Sequence, residues 1–168
     1  IKPYIENKER IHLIGIGGVS MSALGELLLS LGVPVSGSDR LKTDVTARLE
    51  SLGAKITYEH KAENVEGASL IVRTAAVHDD NPEIVRAHAL DIPVMERAEA
   101  WGHLMRDYDN VVCLAGTHGK TTSTSMMTLM TMEAGLDPTV MVGSNLPAIG
   151  GTLRIGGKGC FVAESCEY

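Results

Sequence analysis

Three features of the sequence predict an α/β fold, with a Rossmann-like parallel-sheet domain over residues 1–107 and the opening of a second α/β domain, its P-loop strand and helix, over 108–168. The first is alternation: short apolar runs and helically spaced segments succeed one another along most of the chain. The other two are glycine-rich turns, GIGGVS at 15–20 and AGTHGKTT at 115–122, each placed after a strand-like run and before a helix-like one. Two such turns in one short chain raise the question of why two phosphate-suited places are needed.

The elements follow in order. RIHLIGIG (10–17) is an apolar run that ends in glycines, and VSMSALGELLLSLG has helical spacing up to Gly32. VPVSGSD (33–39) is a second strand that ends in small polar residues. Strand, turn, helix and strand within about 30 residues make a βαβ unit with a right-handed crossover. A helix over 43–53 and strands at KITYE and ASLIVRT (68–74) continue the alternation. Asn81 as N-cap, Pro82 in the first helical position and Glu83 in the first turn start the next helix. IPVMER is a further strand and RAEAWGHLMRD a further helix; the polar stretch RDYDN (106–110) marks the domain junction. Beyond it VVCLAG is a fresh buried strand, KTTSTSMMTLMTMEAG a helix, and GCFVAESCEY (159–168) a strand with acids at its end. So small a second core leaves two possibilities: these strands join the first sheet, or the chain is a piece of something longer, the reading preferred here.

Composition narrows the function classes. A chain of 168 residues with 44% hydrophobic and 21% charged residues is an ordinary globular sequence. Its net charge of −6 and its scarcity of aromatics exclude a general nucleic-acid binder, which needs a basic surface and stacking platforms. Phosphate must then be held by local geometry. Cys113, Cys160 and Cys166 have no CxxC spacing, so neither a disulfide framework nor a zinc site is expected. No apolar run approaches the ~18 residues of a membrane span and no signal peptide opens the chain, so a soluble cytoplasmic protein without membrane insertion is expected.

In the first turn, Gly15 and Gly17 permit a tight bend, while Gly17 and Gly18 let backbone N–H groups approach a pyrophosphate at a helix N-terminus formed with Val19 and Ser20. Ser20 stands where a dinucleotide fingerprint has Gly or Ala. Asp39 ends the second strand, where an acid accepts a ribose hydroxyl, with Ser38 beside it. The simpler alternatives are that the glycines only tighten the turn, and that Ser38 and Asp39 only cap the next one.

The second turn departs from GxxxxGK[ST] because Leu114 stands five residues before Gly119. Gly116, Thr117, His118, Gly119, Lys120, Thr121 and Thr122 remain, in the strand–loop–helix context of a phosphate loop. Their amides would cradle a β-phosphate, Lys120 would reach the β and γ oxygens, and Thr121 would coordinate Mg²⁺. His118 is either a phosphate or substrate contact or an ordinary loop histidine. Glu164, closing the strand CFVAE, stands where a Mg²⁺ ligand, or a partner for a water held on Mg²⁺, would be needed; taken alone it reads as a solvated acid. Met126, Met127, Met130 and Met132 are expected in helix packing and Trp101 in the core; His12, His60, His78, His88 and His103 show no metal spacing and receive no role.

Taken together, IHLIGIGGVSMSALGELLLSLGVPVSGSD, AAVHDDNPEIVRAHALDIPVMERAE, AGTHGKTTSTSM and FVAESCEY resemble, in order and spacing, the Mur ligases of peptidoglycan synthesis. The resemblance departs at Ser20 and at Glu164-Ser-Cys-Glu167, where the family often has glycine and an EADES form. It implies an ATP- and Mg²⁺-dependent ligase in which UDP-N-acetylmuramate is held by Gly15, Gly17, Gly18, Val19, Ser20, Ser38 and Asp39, and ATP by residues 116–122. The reaction implied adds L-alanine through an acyl phosphate, with Lys120, Thr121 and Glu164 as the catalytic set and Thr121 and Glu164 at the metal. The resemblance further implies that the amino-acid-binding part lies in a later segment and that this chain alone is inactive. The alternatives are a ligase that attaches a whole tripeptide to the same sugar nucleotide and a non-catalytic nucleotide-binding module.

Overall fold

The computed structural model describes residues 1–165. Cys166 and Glu167, part of the acidic tail singled out above, lie outside the described residues. The chain divides into two compact units, Ile1–His103 and a second from Leu104 onward.

In the first unit a short helix, α1 (Lys2–Glu6), precedes a five-stranded parallel sheet of β1 (Ile11–Ile14), β2 (Val35–Ser38), β3 (Lys55–Thr57), β4 (Leu70–Arg73) and β5 (Val94–Glu96). The order is β3-β2-β1-β4-β5. The chain thus winds outward from β1 one way, then returns to its other side, which puts a topological switch point between β1 and β4. Open α/β sheets bind ligands in such a crevice, at the carboxyl ends of the strands. Every residue of β1 is buried, as a parallel strand covered on both faces requires.

Two helices cover one face: α2 (Val19–Ser30) and α3 (Asp44–Ser51). Gly25 of α2 lies against the side chains of Leu13 and Leu49, so a Cβ there would come within 3.2 Å of Leu13. Thr43 caps α3 reciprocally with Thr46, each side chain accepting the other's backbone N–H. Helix α4 (Pro82–Ala89) and a 3-10 turn at Ala62–Val65 build the other face around Ile14, Ile71, Ile84 and Ala87. The sequence-based start of α4 agrees with its cap, since the Asn81 side chain accepts from Glu83 N–H. Helix α5 (Arg97–Met105) buries Trp101.

The second unit carries its own sheet, so the possibility that its strands join the first sheet is corrected. Its strands are β6 (Val111–Leu114), β7 (Thr139–Leu146), β8 (Gly151–Arg154) and β9 (Phe161–Glu164), in the order β6-β9-β7-β8. The first three run parallel and β8 returns antiparallel to β7. Helix α6 (Lys120–Glu133) packs on the sheet with an unexpected face. Thr124, Thr128 and Thr131 are buried, their hydroxyls donating back to the carbonyls of Lys120, Thr124 and Met127. That internal pairing removes the penalty of burying them. Of the methionines, Met127 packs against the core of Val140, Cys160 and Val162, whereas Met126 and Met130 face outward.

Candidate functional site

Each unit places a glycine turn at the carboxyl end of its first sheet strand. In the first unit, Gly15 has a φ of 78°, a left-handed conformation that suits glycine. It starts a turn whose Gly15 and Ile16 amides donate to the Ser38 carbonyl. The Gly17 amide donates to Asp39 Oδ2 at 2.8 Å, and the other carboxylate oxygen accepts from the amides of Arg40 and Leu41. Asp39 thus straps the first turn to the end of β2 and shapes the loop that follows. A Cβ on Gly17 would lie 2.8 Å from Asp39 Oδ2, so this close approach requires glycine. Gly18 is the N-cap of α2, whose first-turn amides, beginning at Val19, point out of the helix end. Ser20 is turned differently: its Oγ accepts from Trp101 Nε1 at 3.1 Å.

Beside this turn lies a cavity of about 680 Å³, lined among others by Gly15, Asp39, His60, Val77, Asn81 and Pro82. The loop on its far side is held by Arg73, whose guanidinium bonds Asp79, Glu96 and the Val77 carbonyl. The hydrogen bond from Arg73 draws the Asp79 carboxyl below its ordinary range.

Ser38 does not reach the cavity surface. It is fully buried and donates to Glu83 Oε2 at 2.7 Å, within a polar network that sequence reasoning missed. Glu83, also fully buried, accepts from Asn64 Nδ2 at 2.8 Å and pairs with His60 Nδ1 at 2.7 Å and His12 Nε2 at 3.2 Å. His12 is fixed in turn by Ser36, its in-register neighbour on β2. Burial pushes the Glu83 carboxyl up, but the hydrogen bonds from His12, Asn64, Ser38 and His60 outweigh it, leaving it below the ordinary value. The carboxylate is therefore charged at neutral pH, deep behind the cavity. The available signal was a histidine inside an otherwise apolar strand facing a strand with serines at alternate positions.

In the second unit, residues 115–119 link β6 to α6. Gly119, at φ 77°, is the N-cap. Lys120 Nζ folds back to the Gly116 carbonyl at 2.5 Å, while Thr117, His118 and Thr122 are exposed. Strand β9 pairs with β6 so that Glu164 stands opposite Leu114. The Thr121 hydroxyl donates to Glu164 Oε1 at 3.0 Å, and the Gly143 amide donates to Glu164 Oε2 at 2.8 Å. Gly143 went unnoticed in the sequence, yet a Cβ there would lie 2.6 Å from Glu164 Oε1. The structure thus brings together Thr121 and Glu164, residues 43 positions apart, with Lys120 next to Thr121 in the chain.

Two oxygens side by side, those of Thr121 and Glu164 at the start of α6, suit a cation such as Mg²⁺, which takes one or two protein oxygens and completes its shell with other oxygen ligands. No group of three or more His, Cys, Asp or Glu suited to a metal occurs among the described residues, so a metal held by protein ligands alone has no support there. Among the described residues no helix is long and apolar enough to cross a membrane.

Residues 10–109 match the family described as Mur ligase family, catalytic domain. The UDP-N-acetylmuramate–L-alanine ligase of Acetivibrio thermocellus is 51% identical over 160 residues, 95% of this chain and 34% of that protein. The enzyme of the same name from Clostridium novyi is 47% identical over 163 residues, 97% of this chain and 36% of that protein. Among solved structures, UDP-N-acetylmuramate-alanine ligase from Thermotoga maritima superposes with a TM-score of 0.86 at 37% identity, covering 93% of this chain and 36% of that one. The UDP-N-acetylmuramate:L-alanyl-gamma-D-glutamyl-meso-diaminopimelate ligase from Neisseria meningitides gives 0.87 at 26% identity, covering 95% and 53%. The chain spans about a third of the length of these curated relatives.

Proposed function

The chain belongs to the Mur ligase family, and from that premise we propose that it forms part of an ATP-dependent ligase joining L-alanine to UDP-N-acetylmuramate in peptidoglycan synthesis, in the cytoplasm. The observation that carries the reading is the pairing of Thr121 with Glu164 beside Lys120, in a unit separate from the Gly15–Asp39 turn. Two turns serve two phosphorylated substrates. We assign residues 1–107 to the sugar nucleotide, through Gly15, Gly17, Gly18, Val19, Ser20 and Asp39, with Ser38 supporting the turn from behind. Residues 108–168 begin the ATP-binding domain, whose loop is Gly116, Thr117, His118, Gly119, Lys120, Thr121 and Thr122.

The chemistry implied has two steps. A muramic carboxylate oxygen attacks the γ-phosphorus, the bond to the β-phosphate oxygen breaks, and ADP departs from an acyl phosphate. The amine of L-alanine then attacks the acyl carbon, phosphate leaves with its bonding electrons, and the amine loses a proton. Lys120 leaves the Gly116 carbonyl for the phosphate oxygens, where its charge offsets the negative charge that gathers in transfer. The loop amides fix the phosphates in line with the attacking carboxylate. Thr121 and Glu164 would hold Mg²⁺, which would supply further charge neutralisation at the phosphates.

The identities of 47–51% to alanine-adding relatives, against 26% to the tripeptide ligase, support L-alanine as the amino substrate. The test is ADP release by the whole protein with UDP-N-acetylmuramate and either L-alanine or the tripeptide. Turnover with L-alanine is expected; turnover with the tripeptide alone, or with neither, contradicts the proposal. The 168-residue chain by itself should turn over neither.

A further inference from the structure

The Glu83 network ends at one atom that faces the cavity. His60 is 17% exposed, lines the cavity, and has its Nδ1 held 2.7 Å from Glu83 Oε2 and 3.1 Å from Ser38 Oγ. A carboxylate accepts only, so the hydrogen on this pair sits on Nδ1. An imidazole with its one hydrogen on Nδ1 presents Nε2 as a lone pair, and no hydrogen bond to Nε2 occurs among the described residues. The polarity of that nitrogen is thereby set from behind by a buried charge, as carboxylates hydrogen-bonded to metal-bound imidazoles set those rings elsewhere.

The position of the ring says which part of a nucleotide it meets. Phosphates lie at the turn after the first strand of a doubly wound sheet, and the acid at the end of the second strand faces the ribose. His60 follows β3, the next strand outward, and touches Ser38 at the end of β2. It therefore stands on the nucleoside side of Asp39. Leu41, Val77 and Pro82 line the same cavity and offer apolar surface for the faces of a flat ring. Arg40, His78 and Asp80 are the other charged or titratable groups around it besides Asp39.

We propose that His60 reads the base of the sugar nucleotide, its Nε2 accepting the uracil N3–H, with Glu83 as the positioning residue that fixes the ring's tautomer. Cytosine has a lone pair at N3, so a CDP ligand would set two acceptors against each other. This inference rests on the reading of the first unit as a UDP-sugar site.

The experiment measures UDP and CDP affinities of the whole chain by calorimetry. A mispaired polar contact in a partly buried pocket is worth about ten- to a hundredfold in affinity, so wild type should prefer UDP by that factor. His60→Asn keeps an amide near the Nδ1 position but nothing at Nε2, and should lose most of the preference. His60→Gln can present either end of its amide, and should bind UDP and CDP within about threefold of each other. Glu83→Gln frees the ring to take either tautomer and should lower the preference as well. Imidazole ¹⁵N spectra of wild type should show Nδ1–H in the free protein and a shift of Nε2 on adding UDP, which keeps the test valid should the variants fail to fold. Equal losses of UDP and CDP affinity in His60→Asn, or an Nε2 signal unmoved by UDP, would overturn the assignment while leaving the UDP-sugar site standing. Failure of wild type to bind UDP would overturn both.

Discussion

Replacing Glu83 by leucine should cost the first unit about 3–4 kcal/mol. The side chain is fully buried and is the common partner of His12, Ser38, His60 and Asn64. His12 and Ser38 are themselves buried, so each would lose its acceptor, at about 1–3 kcal/mol apiece, with only the His60 Nδ1 at 3.1 Å left beside Ser38. His60 and Asn64 are partly solvated and can turn to water, so they add little. Removing a buried charge returns part of the loss, because its desolvation no longer opposes folding. The net figure is a large share of a stability of about 5–15 kcal/mol. Trp101, the chain's one tryptophan, is only 4% exposed and lies in the first unit, so its fluorescence in a urea titration reports this loss. The pH dependence has a fixed sign. A carboxyl held below its ordinary value contributes stability that is complete above the unfolded pKa, about 4.3, and is lost as pH falls toward the folded one. Wild type should therefore weaken through that acidic window more than Glu83→Gln does. A loss under about 1 kcal/mol in Glu83→Leu, well below the cost of two stranded donors, would refute this reading of the network.

Other sites give independent expectations. Gly143→Ala puts a methyl against Glu164 and should lower kcat of the whole enzyme roughly ten- to a hundredfold, with circular dichroism unchanged; a rate within about twofold of wild type would show that Glu164 tolerates displacement. Asp39→Ala releases the Gly17 amide and should weaken UDP-N-acetylmuramate binding about tenfold by calorimetry, and an unchanged affinity removes Asp39 from the site. Lys120→Ala should slow acyl-phosphate formation, read by positional isotope exchange in ATP, by roughly a hundredfold or more. Sugar-nucleotide affinity in that variant should stay near wild type; a comparable loss would mean that the two turns form one composite site.

Local signals made much of the fold legible. The βαβ opening, the Asn81–Pro82 helix start and both glycine turns depend on residues close in sequence, where capping and turn chemistry act. Lys120, Thr121 and Glu164 could be named because a strand–loop–helix frame fixes where an acid on the neighbouring strand must stand. What escaped notice depends on distant pairings. Gly143 matters only because β7 lies beside β9, and the hairpin to β8 passes through VGSNLPAIGG, which lacks strand alternation. The His12–Glu83 contact joins residues 71 apart, a distance no local pattern spans. The Ser20 and Ser38 side chains are engaged by Trp101 and by Glu83 with His60, partners that only the folded chain reveals. The outward Met126 and Met130 reverse an expectation from hydrophobicity alone, because the threonine face of α6 satisfies its own hydroxyls.

The proposed division of labour between the two units is tested most directly by amide NMR of the 168-residue chain during two titrations. UDP-N-acetylmuramate should shift the resonances of Gly15, Gly17, Gly18, Val19 and Asp39 and leave those of Gly116 to Thr122 in place. ATP with Mg²⁺ should do the reverse, moving the loop from Gly116 to Thr122 together with Gly143, whose amide reports on Glu164. Shifts from the sugar nucleotide centred on residues 116–122, or from ATP centred on residues 15–20, would contradict the account.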